Sequence, residues 1–299
     1  MNAAINNFLH YIRLELNLSP LTVDAYEGDL QQWEQFLTGG NEELDVASVT
    51  TSDIRAWLVH LSKHGHSQRT LRRKVQALRS FYKWLMRCGV VASNPASAVE
   101  MARVPKRLPQ LVRTSDIDGI LDSEVDENDF EQVRNKLIMM MLYHTGMRRA
   151  ELIELQDKHV DTAKGELKVH GKRDKDRIIP FGTELAQWIE KYRKLRNCHA
   201  LGCQQFFVRP SGEPLYPMLV HRIVTGALEQ AGVTSKRSPH VLRHSFATAM
   251  LNHGATLNSV KELLGHESLA TTQIYTHVTF SELKNNYKLA HPRALKKGG

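Results

Sequence analysis

Apolar positions recur at helical spacing through the first hundred residues. Phe8, Leu9, Ile12 and Leu16 share one face. Ser19-Pro20 reads as an N-cap followed by proline at the first helical position. From there Val23, Tyr26, Leu30, Trp33, Phe36 and Leu37 form a stripe that Gly39-Gly40-Asn41 stops. A third helix starts near Thr51-Ser52-Asp53 and carries Trp57 and Leu61. In a fourth, Leu71, Val75, Leu78, Phe81, Tyr82 and Leu85 make the apolar face, and Arg72, Arg73, Arg79 and Lys83 fall largely off it. Asn94-Pro95 closes this region, and residues 102–113, with two prolines and no helical period, read as an extended basic linker.

A second region begins at Thr114-Ser115-Asp116, which caps a helix. Asp126–Asp129 precedes a long apolar helix ending near His144. Glu166–His170 and Arg177–Phe181 predict two short strands joined by the turn-rich stretch 171–176. Segments near 183–196, 217–231, 240–253, 257–264 and 270–276 are helical in pattern. The expected architecture is therefore mostly α. Its units are 1–101 and 114–299, the second with a small β-sheet or hairpin.

Composition agrees with two ordinary globular domains: 299 residues, 41% hydrophobic and 24% charged. The most apolar run, Leu137–Tyr143, is far shorter than the roughly 20 residues of a membrane span. The first residues lack a secretory pattern, and Cys88, Cys198 and Cys203 cannot form a full disulfide framework, so reduced thiols in the cytoplasm are expected. Cys198, His199 and Cys203 lack a fourth zinc ligand at sensible spacing, and no metal is expected.

Charge changes the picture more. The net +8 is modest, but its basic residues cluster without acids. Arg69, Arg72, Arg73, Lys74, Arg79, Lys83 and Arg87 form one cluster, and Arg103, Lys106, Arg107 and Arg113 a second. The tail after Glu282 forms a third. Such clusters suit a polyanion; a solvated helix face is the alternative for the first.

Several polar residues sit at element edges. Arg148 follows a Gly-broken helix junction, Thr145-Gly-Met-Arg148. Lys172 lies in the turn between the two strands. His240 and Arg243 share a face by i, i+3 spacing, His266 follows Leu264-Gly265, and Tyr275 lies nine residues beyond. Singly, an ion pair, a helix cap and a half-buried aromatic would explain them.

Together, Thr145-Gly-Met-Arg148, Gly171-Lys172, His240-x-x-Arg243-His244, Leu264-Gly-His266 and Ile274-Tyr275 resemble, in order and spacing, the tyrosine site-specific recombinases of the Xer group, which are phage-integrase-like. Leu18-Ser-Pro-Leu-Thr22, Tyr26 and Asp29-Leu30 resemble that family's core-binding domain, and His291-Pro-Arg-Ala294 its tail. The resemblance implies a four-helix, SAM-like core-binding domain over 1–101 and a catalytic domain over 114–299. The apolar stripe of Phe280, Leu283, Tyr287 and Leu289 has two destinations: its own catalytic domain, or, as the resemblance implies, a neighbouring protomer on which a C-terminal helix docks. Truncation after Glu282 would then leave a folded monomer.

The implied reaction is transesterification of a DNA phosphodiester without metal, cofactor or nucleotide hydrolysis. Tyr275 is the implied nucleophile, Arg148 and Arg243 clamp the phosphate, and His266 adds a donor. His240 accepts the tyrosine proton and Lys172 protonates the leaving oxygen, with Lys175 a rival. Glu151, one turn after Arg148, either orients site side chains or has a simple surface role, and His244 supports the site residues from behind or is structural. Arg69, Arg72, Arg73, Arg79, Lys83, Arg103, Lys106 and Arg107 are candidate DNA contacts. The implied partners are a double-stranded recombination site and a homo- or hetero-tetramer of recombinase subunits, with no membrane. Chromosome-dimer resolution leads. Integration, inversion, nicking-closing and non-cutting DNA binding are the alternatives. Arg173 stands where a second glycine is usual in the turn, and Arg149 where a small apolar residue is.

Overall fold

A computed structural model describes residues 1–39, 45–101, 112–171, 175–199, 202–234, 237–265 and 280–293. The chain divides into two compact units, Met1–Arg107 and Leu108–Gly299.

The first unit holds helices α1 (Asn2–Leu14), α2 (Pro20–Thr38), α3 (Thr51–Lys63) and α4 (Gln68–Arg87). Their boundaries follow local chemistry. Pro20 occupies the first turn of α2, and Gly39 ends it in the left-handed region at φ 57°. At the start of α3, Thr50 and Asp53 form a reciprocal capping box. The apolar stripes meet in one core in which Phe8, Leu30, Trp33, Trp57, Leu78 and Phe81 are buried. Each such side chain contributes about 1.5–3 kcal/mol relative to exposure.

The second unit is built on α6 (Phe130–Thr145). Every residue from Leu137 to Thr145 is buried, which accounts for the apolar run there. Asp129 caps its start by accepting from the N–H groups of Glu131 and Gln132. Around it lie α5 (Thr114–Asp122), α7 (Arg149–Glu154), α8 (Thr183–Arg196), α9 (Pro217–Gln230), α10 (Pro239–Asn252), α11 (Leu257–Leu264) and α12 (Phe280–Ala290). Strands β1 (Val160–Asp161), β2 (Glu166–Gly171) and β3 (Lys175–Pro180) form an antiparallel sheet in that order. Leu167 pairs with Ile179 and Val169 with Arg177. Strand β1 and helix α7 are too short for periodicity to reveal. The expected helix at 270–276 and most of the 102–113 linker lie outside the described residues.

In the single chain, α12 packs against α10, α11 and β3 of its own unit. Leu283 and Tyr287 join the core, whereas Leu289, expected on the same stripe, is 80% exposed. Beyond the helix, the Arg293 guanidinium is buried against Glu184 and also reaches Asp118 at 3.1 Å and Asp122 at 2.5 Å. A chain ending after Glu282 would strip this bed from the core, so the expectation of an undisturbed fold after truncation is withdrawn.

Tyr287→Ala should therefore lower the stability of the second unit by about 3 kcal/mol, the cost of emptying an aromatic site in a core. Urea unfolding of the full chain measures this. Unchanged stability would mean that α12 does not rest on its own unit in solution.

Candidate active site

The site begins where α6 ends. Gly146 takes φ 61°, and a Cβ there would lie 2.4 Å from Phe246 Cδ1 and 2.9 Å from Leu264 Cδ2. Neither the conformation nor the space admits another residue. The turn places Arg148 at the N-cap of α7. Three residues on, Glu151 reaches back, and its Oε2 accepts the Arg148 backbone N–H at 2.6 Å. Its Oε1 also accepts from Arg148 Nη1 at 2.7 Å.

The same carboxylate is gripped from the sheet. Arg177 on β3 donates from Nη1 and Nη2 to the two Glu151 oxygens at 2.8 and 2.9 Å. This is the bidentate geometry that suits a planar guanidinium. Arg177 Nε donates to the carbonyl of Leu263 at 2.7 Å. Arg243, from the second turn of α10, donates to the carbonyls of Leu264 and Gly146, both at 2.6 Å. Arg148 Nη2 donates to the carbonyl of Gly265 at 2.9 Å. Three arginines thus cap three consecutive carbonyls at the end of α11. Those are groups a helix C-terminus leaves unpaired, at its negative pole.

Three guanidiniums face one carboxylate, which leaves two positive charges in excess. The side chains of Arg148, Arg177 and Glu151 are 28%, 13% and 5% exposed. Burial pushes the Glu151 carboxyl up, but the Arg177 and Arg148 hydrogen bonds outweigh it and hold it at about 2. Burial, reinforced by the Arg148 charge, brings the Arg243 guanidinium down to about 10, so it remains a cation at neutral pH. The arrangement is a fixed, partly dry cationic cradle, open through Arg148. It suits an anion with several oxygen acceptors.

Of the expected site residues, Arg148 and Arg243 are brought together here, with Glu151 between Arg148 and Arg177. His240 lies exposed in the first turn of α10, three residues before Arg243. His266 follows Gly265 directly in the sequence. Lys172 falls between Gly171 and Lys175, the last paired residues of the hairpin. Lys172, His266 and Tyr275 lie outside the described residues. Arg177 is the site residue that sequence reasoning missed. Strand alternation held the signal: it pairs with Val169 on the face that buries Leu167 and Ile179, where a cation needs a buried partner. Arg149 donates to the carbonyl of Pro217 at 3.3 Å. His199 Nδ1 lies 3.0 Å from the Pro210 carbonyl oxygen. Among the described residues, no three His, Cys, Asp or Glu side chains are grouped to hold a metal.

The basic helix α4 divides its charges. Lys74 is buried and donates to Asp29 at 2.8 Å. Arg73 pairs with Asp29 and donates to the Ala25 carbonyl at 3.0 Å. Arg79 spends its donors on the carbonyls of Ala96 and Val99, at 3.1 and 2.7 Å. It braces its own unit. Arg69 and Lys83 are exposed and Arg72 is half-buried. Arg103, Lys106 and Arg107 lie outside the described residues.

The signature of the phage integrase family matches residues 110–282, and that of the phage integrase N-terminal SAM-like domain matches residues 5–89. The chain is similar to the tyrosine recombinase XerC of Chlorobaculum parvum, 38% identical over 96% of this chain and 94% of that protein. It is also similar to the tyrosine recombinase XerD of Oceanobacillus iheyensis, 34% identical over 97% of this chain and 99% of that protein. Its fold is similar to that of the XerH site-specific recombinase bound to its difH substrate before cleavage. The TM-score is 0.67 at 22% identity, covering 94% of this chain and 82% of that one. No helix among the described residues is long and apolar enough to cross a membrane.

The Glu151 carboxyl lies near 2 in the folded chain against an ordinary 4.5. Its stabilising effect is therefore complete above about pH 5 and is lost as pH falls toward about 2. Glu151→Gln should cost about 2–3 kcal/mol at pH 7 and progressively less in acid. Urea unfolding of both proteins across that range measures the gap. A gap that does not shrink in acid would mean the carboxylate charge is not what holds the arginines.

Proposed function

Because this chain belongs to the phage integrase family, we propose that it is a site-specific DNA recombinase that cuts and rejoins strands through a 3′-phosphotyrosine. The observation that carries this reading is the cradle of Arg148 and Arg243, tied to the carbonyls of Gly265 and Leu264, just before His266 in the sequence. Residues 1–101 grip the DNA, 102–113 link, and 114–299 perform the chemistry on a double-stranded recombination site in the cytoplasm. The chain's similarity over nearly its full length to the XerC and XerD recombinases favours Xer-type chromosome-dimer resolution over integration or inversion.

The Tyr275 oxygen attacks the phosphorus and forms the new P–O bond, while the bond from phosphorus to the 5′ oxygen breaks. A free phenol has a pKa near ~10 and needs a proton acceptor; His240 takes that proton. Arg148, Arg243 and His266 neutralise the charge that builds on the non-bridging oxygens. Lys172 gives a proton to the departing 5′ oxygen. Attack by the 5′-hydroxyl of another strand on the phosphotyrosine reverses every step and frees the tyrosine. Bond energy is kept throughout, so strand exchange through a Holliday junction needs no external energy source. Four subunits assemble on paired sites, and α12 then leaves its own bed for the neighbouring protomer's.

Tyr275→Phe should bind a cleavable site as the parent does but form no covalent adduct on a nicked suicide duplex. An adduct that persists would assign another nucleophile. Lys172→Ala should cleave slowly on ordinary DNA and recover on DNA with sulfur at the 5′-bridging position, whose departure needs no proton. Recovery in Lys175→Ala instead would move the acid to Lys175.

Replacing both Arg69 and Lys83 with Ala should flatten the slope of log affinity against log salt by about 2, one counterion for each phosphate that is no longer neutralised. An unchanged slope would turn that face of α4 away from DNA.

A further inference from the structure

Arg177 carries none of the roles assigned above, yet its side chain holds two of the groups that anchor the cradle, Glu151 and the end of α11. Through Nη1 and Nη2 it holds the two oxygens of Glu151, which in turn holds the backbone and side chain of Arg148. Through Nε it holds the carbonyl of Leu263, two residues before Gly265. Its guanidinium also lies against Gly265, where an added Cβ would come within 3.1 Å of Nη1 and 3.4 Å of Cζ. A Cβ at this position would make the guanidinium give way by a few tenths of an ångström. Remove Arg177 and Glu151 keeps one cationic partner instead of two, while Arg148 is left without the rigid wall behind its own anchor.

We infer that Arg177 is a positioning residue for strand cleavage. It sets the aim of Arg148 through Glu151, and it fixes the end of α11 through the Leu263 carbonyl. It is not proposed to touch DNA. The inference rests on the recombinase reading above. A displacement of about 1 Å in such a group can cost on the order of a hundredfold in rate with little change in binding. Lysine cannot reproduce the role, because a point cation cannot hold two carboxylate oxygens and a carbonyl at once.

The test uses the full chain, a nicked suicide duplex that the parent cleaves, and single-turnover formation of the covalent adduct. Arg177→Ala should bind the duplex with near-parental affinity and form adduct roughly ten- to a hundredfold more slowly. Its pH profile should also change. With its bidentate partner gone, Glu151 loses the largest influence holding its carboxyl down, so the adduct rate of Arg177→Ala should begin to fall at a higher pH than the parent's as the medium is acidified. Glu151→Gln added to Arg177→Ala should abolish that extra pH dependence. A merely structural defect would not create it.

If Arg177→Ala does not fold, Arg177→Lys decides. Slower adduct formation with intact binding and unfolding midpoint supports the inference, and a parental rate overturns it. A folded Arg177→Ala with parental rate and pH profile overturns it as well. Tyr275→Phe run alongside separates the two readings. If it forms adduct, the assignment of the nucleophile fails; if it is inert while the Arg177 variants are fast, only the role of Arg177 fails.

Discussion

One carboxylate governs the geometry of the second unit's functional end. Glu151 is buried and accepts from Arg148 and Arg177 at distances of 2.6–2.9 Å. Without it, the guanidiniums of Arg148, Arg177 and Arg243 would face one another at low exposure with no counter-charge. Their mutual repulsion is already visible in Arg243, which burial and then the Arg148 charge bring down to about 10. A buried ion pair of this kind is weak evidence for net stability, but breaking it is costly. What it supplies is position. It joins the turn after α6, the strand β3 and the end of α11, three elements distant in sequence.

The carbonyls of α11 complete that junction. Leu263, Leu264 and Gly265 each accept from a different arginine. Cations at a helix C-terminus meet the negative pole of its dipole as well as unpaired acceptors. Gly146 makes this possible at the other side, because only a residue without a Cβ leaves room for Phe246 and Leu264 there.

The sequence was legible wherever a signal is local. The long helices followed from apolar period and capping residues, as with Ser19-Pro20 and Asp129. Arg148 and Arg243 followed from a family pattern of residue order. Three things escaped for physical reasons. Arg177 sits on a short strand, and its partners lie 26 and 86 residues away, so nothing near it in the chain announces a buried ion pair. The apolar stripe of α12 predicted burial, but a stripe does not say against what, and the bed is its own unit. Counting the cations of α4 could not separate a solvated arginine from Arg79, whose donors face the carbonyls of Ala96 and Val99. Charge is a property of composition, whereas its availability depends on tertiary contacts.

The excess of positive charge in the cradle has a thermodynamic meaning. Folding holds like charges close because Glu151, the α11 carbonyls and the surrounding core compensate in part. The fold meets that cost before any substrate arrives. Donors fixed in this way need no reorganisation when negative charge develops between them, which is the condition under which they stabilise a transition state most. The same excess means that an anion with several oxygens relieves a repulsion built into the free protein, in addition to making new hydrogen bonds. Binding and folding are therefore coupled at this site: whatever anion occupies the cradle stabilises the second unit by mass action, with the two oxygens of Glu151 already committed to the arginines that receive it.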